Sequence, residues 1–185
     1  MDALKKKSKK KIVVKENNGR VDVEGGKIAV LNIPTVQGRI NGTLKIDDGD
    51  VIDIEFRGDS EREELYFYWQ SEPHYFTLLA KKGGPYTELA FWGDELKVGR
   101  HQIGWGENEV HVEFFRHGST GYPQSELRGS LTVLSIEEQG ELDVVEGYFS
   151  FDYIDSSEDK PRKVVFSSPT FRLRVPKKKH LEGRG

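Results

Sequence analysis

The chain has 185 residues, no cysteine, one methionine and a formal net charge of −3. That is enough chain for one domain with a core that needs no staples, and the lack of cysteine excludes a disulfide framework, a thiolate metal site and a cysteine nucleophile. No apolar run approaches the ~20 residues of a membrane-spanning helix, and no apolar stretch follows the basic N-terminus as it would in a secretory signal; as written the chain reads as cytoplasmic, or as a cell-envelope protein if an export signal has been removed.

Charge is segregated along the chain. Residues 1–20 carry +6, residues 176–185 carry +3, and residues 21–175 carry −12. Two unstructured basic tails, 1–20 and 176–185, are therefore expected on either side of a single domain over 21–175, because blocks of like charge cannot bury themselves. The tails offer contact with an anionic surface. The acidic body would repel DNA or RNA, and no specific nucleic-acid signal is present.

In the first tail, Ile12-Val13-Val14 could add a short edge strand. Strands are then expected at 27–33, 38–46 and 51–57, where Ile52, Ile54 and Phe56 alternate with Asp53 and Glu55. Asp47-Asp48-Gly49-Asp50 supplies hairpin chemistry between the last two, since Asp and Gly tolerate positive φ. Residues 59–65 could make one helical turn. Further strands are expected at 64–70, 74–80 and 86–92, separated by Ser71-Glu72-Pro73 and Gly83-Gly84-Pro85.

Residues 93–109 are rich in charge and glycine and show no clear period. Val110, Val112 and Phe114 alternate in the next strand, and a loop follows over 117–125. The final strands fall at 127–136, 142–153 and 163–175. Val145, Phe149, Phe151 and Tyr153 share one face, as do Phe171, Leu173 and Val175, with Arg172 and Arg174 opposite. Side chains alternate across a strand, so each of these has one buried and one wet face. Pro169 has no N–H for a ladder and predicts an edge, a bulge or a break. Short strands with hairpin-length turns and no convincing helix give an all-β fold, an antiparallel β-sandwich of about eight to ten strands.

Three segments carry a family resemblance: Gly129–Glu137, Val145–Asp152, and Lys163–Phe166 with Phe171–Leu173. Together they resemble the closing hairpins of small bacterial lipoprotein-type β-sandwich domains of unknown function. Leu96-Lys97-Val98-Gly99-Arg100-His101-Gln102-Ile103-Gly104 is similar to a turn of the same family, with His101 where an aromatic is usual. The resemblance implies a binding or interaction module at the cell envelope and carries no catalytic residues with it. The chain departs from the family in lacking the signal peptide and the lipidation cysteine.

Motifs for chemistry are sparse. Gly83-Gly84-Pro85 lacks the Lys-Ser/Thr of a phosphate loop, and no Gly-x-Ser-x-Gly or His-Glu-x-x-His occurs. No cofactor is implied. His111 and Glu113 lie two apart on the wet face of a strand, with His117 beyond, and are weak metal candidates beside the plainer reading of strand-surface polarity. Asp47, Asp48 and Asp50 could gather Ca²⁺ but lack the spacing and closing Glu of a known loop, so a hairpin turn explains them better; the acidic run Asp152–Asp159 is ambiguous in the same way. Glu64, Glu72, Glu88 and Asp94 flank the aromatic middle, and a glycosidase needs two carboxylates across a cleft, which sequence cannot place.

That aromatic middle holds the best candidate site. Tyr66, Phe67, Tyr68 and Trp69 are consecutive, so both faces of their strand carry rings. Trp92 follows Phe91, and Trp105 sits between two glycines. Trp69, Trp92, Trp105 and His101 are the candidate ligand-binding residues, for a glycan or a protein partner. The alternative is that two sheets cover both faces and Trp105 folds back as a plug. The expectation is a non-catalytic binding module, possible partners being a protein, a glycan or an anionic surface, with a carbohydrate-binding module as the rival to an envelope interaction domain.

Overall fold

A computed structural model describes residues 15–17, 20–22, 36–70, 75–123, 125–157 and 159–177. The chain forms two units, Met1–Ile33 and Pro34–Gly185. In the first, β1 (Lys15–Asn17) and β2 (Arg20–Asp22) pair antiparallel. These six residues lie in and beside the stretch for which the sequence predicts no structure. The rest of that stretch, the strand expected at 27–33 and residues 178–185 lie outside the described residues.

The second unit is an antiparallel sandwich. Its strands are β3 (Gln37–Ile46), β4 (Ile52–Gly58), β5 (Leu65–Gln70), β6 (Tyr75–Lys82), β7 (Thr87–Gly93), β8 (Gly99–Ile103), β9 (His111–Arg116), β10 (Ser125–Gln139), β11 (Leu142–Asp155) and β12 (Arg162–Pro176). One sheet has the order β4-β3-β12-β11-β10-β8 and the other β5-β6-β7-β9. The all-β expectation holds, with one strand added: β8 falls in the stretch that showed no period. It has five residues, and of these Ile103 is the one buried hydrophobic. The helical turn expected over 59–65 is instead a tight connection. Asp59 accepts hydrogen bonds from the amides of Glu61 and Arg62 at 2.9 and 3.0 Å, and Gly58 bridges to Glu63.

The alternation read from the sequence sets the core. Val145, Phe149, Phe151 and Tyr153 are buried, as are Phe171, Leu173 and Val175, while Arg172 and Arg174 face water. From the smaller sheet, Leu65, Phe67, Phe76, Leu78, Leu89, Phe91, Val112 and Phe114 meet them. Ring contacts stitch the sheets together: Phe91 to Phe149 at 4.7 Å and Phe114 to Phe166 at 4.7 Å between centroids. Phenyl rings meeting edge-on or tilted at this distance gain beyond their area burial.

Local chemistry explains the joints. Asp47 sits at φ 49°, Gly49 N–H donates to Ile46 C=O at 3.0 Å, and the Asp47 carboxylate accepts from the Lys163 amide at 2.8 Å. The acidic run is thus a hairpin turn clipped to β12. Pro169 lies inside a central strand. The ladders shift register around it, between Ser167 and Thr170 against β3 and between Gly147 and Phe149 against β11. A bulge absorbs the missing donor.

Gly147 fills a place where any side chain would collide. A Cβ there would lie 2.2 Å from the Thr132 carbonyl oxygen and 2.7 Å from the Phe171 ring. Gly147→Ala is expected to cost about 1–3 kcal/mol, the usual range for overpacking, measurable as a lower urea midpoint at unchanged m-value.

The outward faces of the two sheets differ in kind. The larger carries ion pairs: Arg172 with Glu146 at 2.9 Å, Arg128 with Asp152 at 3.0 Å and Arg39 with Glu55 at 3.7 Å. Such exposed pairs contribute about 0–1 kcal/mol each and mark an ordinary solvated face. The smaller sheet turns rings outward.

Candidate functional site

On β9, Val112 and Phe114 point inward, so His111, Glu113 and Phe115 point out. The pairings with β7 bring Trp92 opposite His111, Ala90 opposite Glu113 and Glu88 opposite Phe115. On β6 the partners of Trp92, Ala90 and Glu88 are Thr77, Leu79 and Lys81, and β5 adds Tyr68 and Tyr66 opposite Thr77 and Leu79. Three rows therefore cross the face. One reads Tyr68-Thr77-Trp92-His111, the next Tyr66-Leu79-Ala90-Glu113, and the third Lys81-Glu88-Phe115.

Two ring clusters rise from this face. In the first, the His111 imidazole stacks on Trp92 at 5.7 Å and 26° and contacts Trp105 at 5.9 Å. Trp105 stays 51% exposed. Its loop is braced: Glu109 accepts from the Gly106 amide at 2.6 Å, Gly104 N–H donates to Val110 C=O at 3.2 Å, and Glu109 N–H donates back to Gly106 C=O at 3.2 Å. A Cβ at Gly104 or Gly106 would run into the Glu109 carboxylate. The two glycines thus let the carboxylate close the loop and hold the indole at the surface.

In the second cluster Phe115 stacks on Tyr122 at 5.0 Å and 20° and meets Tyr86 at 6.3 Å. Both tyrosines are exposed. The clusters are rooted four residues apart on β9, about 13 Å by strand rise.

Polar groups lie between and beside them. Glu88 accepts the Tyr86 hydroxyl and pairs with Lys81 Nζ at 3.2 Å. That hydrogen bond, then burial and the Glu88 charge, push the Tyr86 hydroxyl up to about 12. Glu113, half-buried, makes no hydrogen bond or ion pair among the described residues. Burial first, and then the Glu88 charge, hold its carboxyl above the usual value of 4.5. Burial and the same two carboxylates also push Tyr122 up.

The structure separates the four predicted binding residues. Trp92 and Trp105 come together through His111. Trp69 points inward, with its ring against Phe67 at 5.1 Å and Phe76 at 6.5 Å and its Nε1–H donating to Pro176 C=O at 2.9 Å. It also lines, with Leu96, Ile136 and Val175, a cleft of about 170 Å³, below the range of ordinary ligand pockets. His101 belongs to β8 in the other sheet, and its Nε2 lies 2.7 Å from the Lys97 carbonyl oxygen. His111 and Glu113 do share a face, but the imidazole is engaged by two indoles, and no group of three His, Asp or Glu suited to a metal occurs among the described residues.

Phe115, Tyr86 and Tyr122 escaped the sequence reading. One signal was available for Phe115. It follows Phe114 directly, so one ring of the pair must face out, the same logic that applies to Tyr66–Trp69. Nothing local marks Tyr86 and Tyr122, which reach the face from turns.

No protein-family model matches the chain, and no curated protein or solved structure matches it either.

Proposed function

We propose that the protein is a non-catalytic carbohydrate-binding module whose ligand surface is the outward face of the β5-β6-β7-β9 sheet. The observation that carries this reading is the pair of braced ring clusters, Trp92-His111-Trp105 and Phe115-Tyr122-Tyr86, with polar groups between them. Sugar rings offer C–H faces to aromatic planes and hydroxyls to carboxylates and ammonium groups, and this surface presents both in alternation. A protein interface is depleted of charge at its centre; here Glu113 stands between the clusters, and Glu88 and Lys81 continue the row of Phe115. Hydrolysis would need two carboxylates flanking a bond in a cleft, whereas Glu88 and Glu113 stand on an open sheet face and Glu88 is engaged by Lys81 and Tyr86. An envelope location, implied by the resemblance of the closing hairpins, would put this face among polysaccharides.

The test is a glycan array followed by titration of the hits. Trp105→Ala is expected to weaken binding at least about tenfold, or 1.4 kcal/mol, while changing stability by less than about 0.5 kcal/mol, as for an exposed residue outside the core. Binding that survives Trp105→Ala and Trp92→Ala unchanged would remove this surface from consideration.

A further inference from the structure

Resting on the carbohydrate reading, we propose that this face selects glycans bearing free primary amines, with the Glu113 carboxylate holding the ammonium of a sugar seated between the two ring clusters. The inference starts from the charges on the face. Lys81 is already bound to Glu88, and Glu88 also takes the Tyr86 hydroxyl. Glu113 is left half-buried, with no hydrogen bond or ion pair among the described residues, and with Ala90 as its cross-strand neighbour on β7. Among the described residues of the four strands, Glu113 is therefore the one uncompensated carboxylate on this face, on a body of charge −12 over residues 21–175.

Position fits the same chemistry. His111 and Phe115 lie two residues either side of Glu113 on the same face of β9, about 7 Å away in each direction. A chain running along β9 would stack one sugar on the His111–Trp105 cluster and another on Phe115–Tyr122. A substituent of the sugar between them would come over Glu113. A uronate or sulfated chain would set like charge against Glu113 and Glu88. A neutral chain would cover Glu113 and leave its carboxylate desolvated and unpaired, which is the costly outcome for a polar group. An ammonium pairs with it and also faces aromatic rings on either side.

The carboxylate sits above its ordinary value because of burial and the Glu88 charge. The titratable groups on the same face are Glu88 on β7, Lys81 on β6, Tyr66 and Tyr68 on β5, Tyr86 before β7, Tyr122 after β9 and His111 on its own strand. Amine recognition needs Glu113 ionised, so it should weaken as the pH falls through the raised Glu113 value, which lies above 4.5.

The experiment titrates the full chain with four oligosaccharides of equal length, followed by tryptophan fluorescence. These are a glucosamine oligomer, its fully N-acetylated counterpart, a neutral glucose oligomer and a uronate oligomer, with poly-lysine as a charged non-sugar. The glucosamine oligomer is expected to bind at least tenfold tighter than the acetylated one. Glu113→Gln should erase that preference, leave weaker ring-dependent binding, and keep the melting temperature unchanged. Equal affinity for the free and acetylated oligomers, or a preference that persists in Glu113→Gln, would overturn the amine inference while the carbohydrate reading stood. Poly-lysine binding as tightly, and insensitive to Trp105→Ala, would show charge alone at work and overturn it as well. If no oligosaccharide binds, both readings fall.

Discussion

Asp155→Ala is expected to lower the unfolding free energy by about 3–5 kcal/mol, the loss that follows when one partner of a buried ion pair is removed. The Asp155 side chain is fully buried, at 0% exposure. Its carboxylate accepts from the Gly121 amide at 2.8 Å, the Ser157 amide at 3.0 Å, the Ser157 hydroxyl at 2.6 Å and Arg162 Nη2 at 2.9 Å. One side chain thus ties together the loop after β9, the end of β11 and the start of β12. Beside it Tyr153 donates its hydroxyl to the Gly121 carbonyl at 2.8 Å, so the same loop is held twice. Alanine would leave two amides without their acceptor and take a carboxylate from beside a mostly buried guanidinium. Asparagine keeps the shape and loses the charge, and should cost less.

The dependence on pH separates this network from simple packing. Burial alone would raise the Asp155 carboxyl, but the Ser157 hydroxyl, the Gly121 and Ser157 amides and Arg162 outweigh it, and the group lies below its usual 3.8. A depressed carboxyl contributes stability that is present above the unfolded value and lost as the pH falls through the folded one. Urea unfolding of the native protein and of Asp155→Ala should therefore differ most near neutrality and converge below about pH 3.8. A gap that stayed constant into acid would mean that Asp155 acts by filling space alone.

Phe166→Ala is the second large effect, about 3–5 kcal/mol by the range for Phe→Ala in cores. Phe166 is at 0% exposure on β12. Its ring lies 4.7 Å from Phe114 in the opposite sheet and 5.8 and 5.7 Å from Phe149 and Phe151 on β11. Removing it opens a void where four rings meet, and the flanking strands are held by ladders on both sides, so the site has little freedom to collapse. At about 2–4 °C per kcal/mol for a chain of this size, the melting temperature should fall by roughly 6–20 °C. Phe114→Ala and Phe166→Ala share one contact, and the double variant should lose less than the sum of the two. Strict additivity would show that the two sheets do not depend on this contact.

Most of the sandwich was legible because strands with one wet face write their burial into every second residue. Val145–Tyr153 and Phe171–Val175 did so without interruption, and Pro169 announced its own bulge. β8 was illegible for the converse reason. Of its inward positions, Gly99 has no side chain and His101 is polar, so only Ile103 signals a core. The aromatic face was half legible. Trp92 and Trp105 stand out as residue types, but sequence cannot tell which face of β5 is inward, and so Trp69 was grouped with them. Tyr86 and Tyr122 join the site only through tertiary placement, from the turn before β7 and the loop after β9 at one end of the sheet.

The order β4-β3-β12-β11-β10-β8 has a consequence for how the protein is made. β12 fills the slot between β3 and β11, pairing Phe166 with Leu44 on one side and with Phe151 on the other. During synthesis the β3–β4 hairpin leaves the ribosome long before it, and the β10–β11 hairpin just before it. Until then each presents a long open edge with its apolar face uncovered, the state in which strands pair with the wrong neighbour. Closing the sheet also joins residues more than 100 positions apart, and such distant contacts make folding slow. The nascent chain should therefore depend on chaperone cover until the residues of β12 clear the exit tunnel, and a ribosome stalled before Arg162 should hold an aggregation-prone chain, not a partly built sandwich.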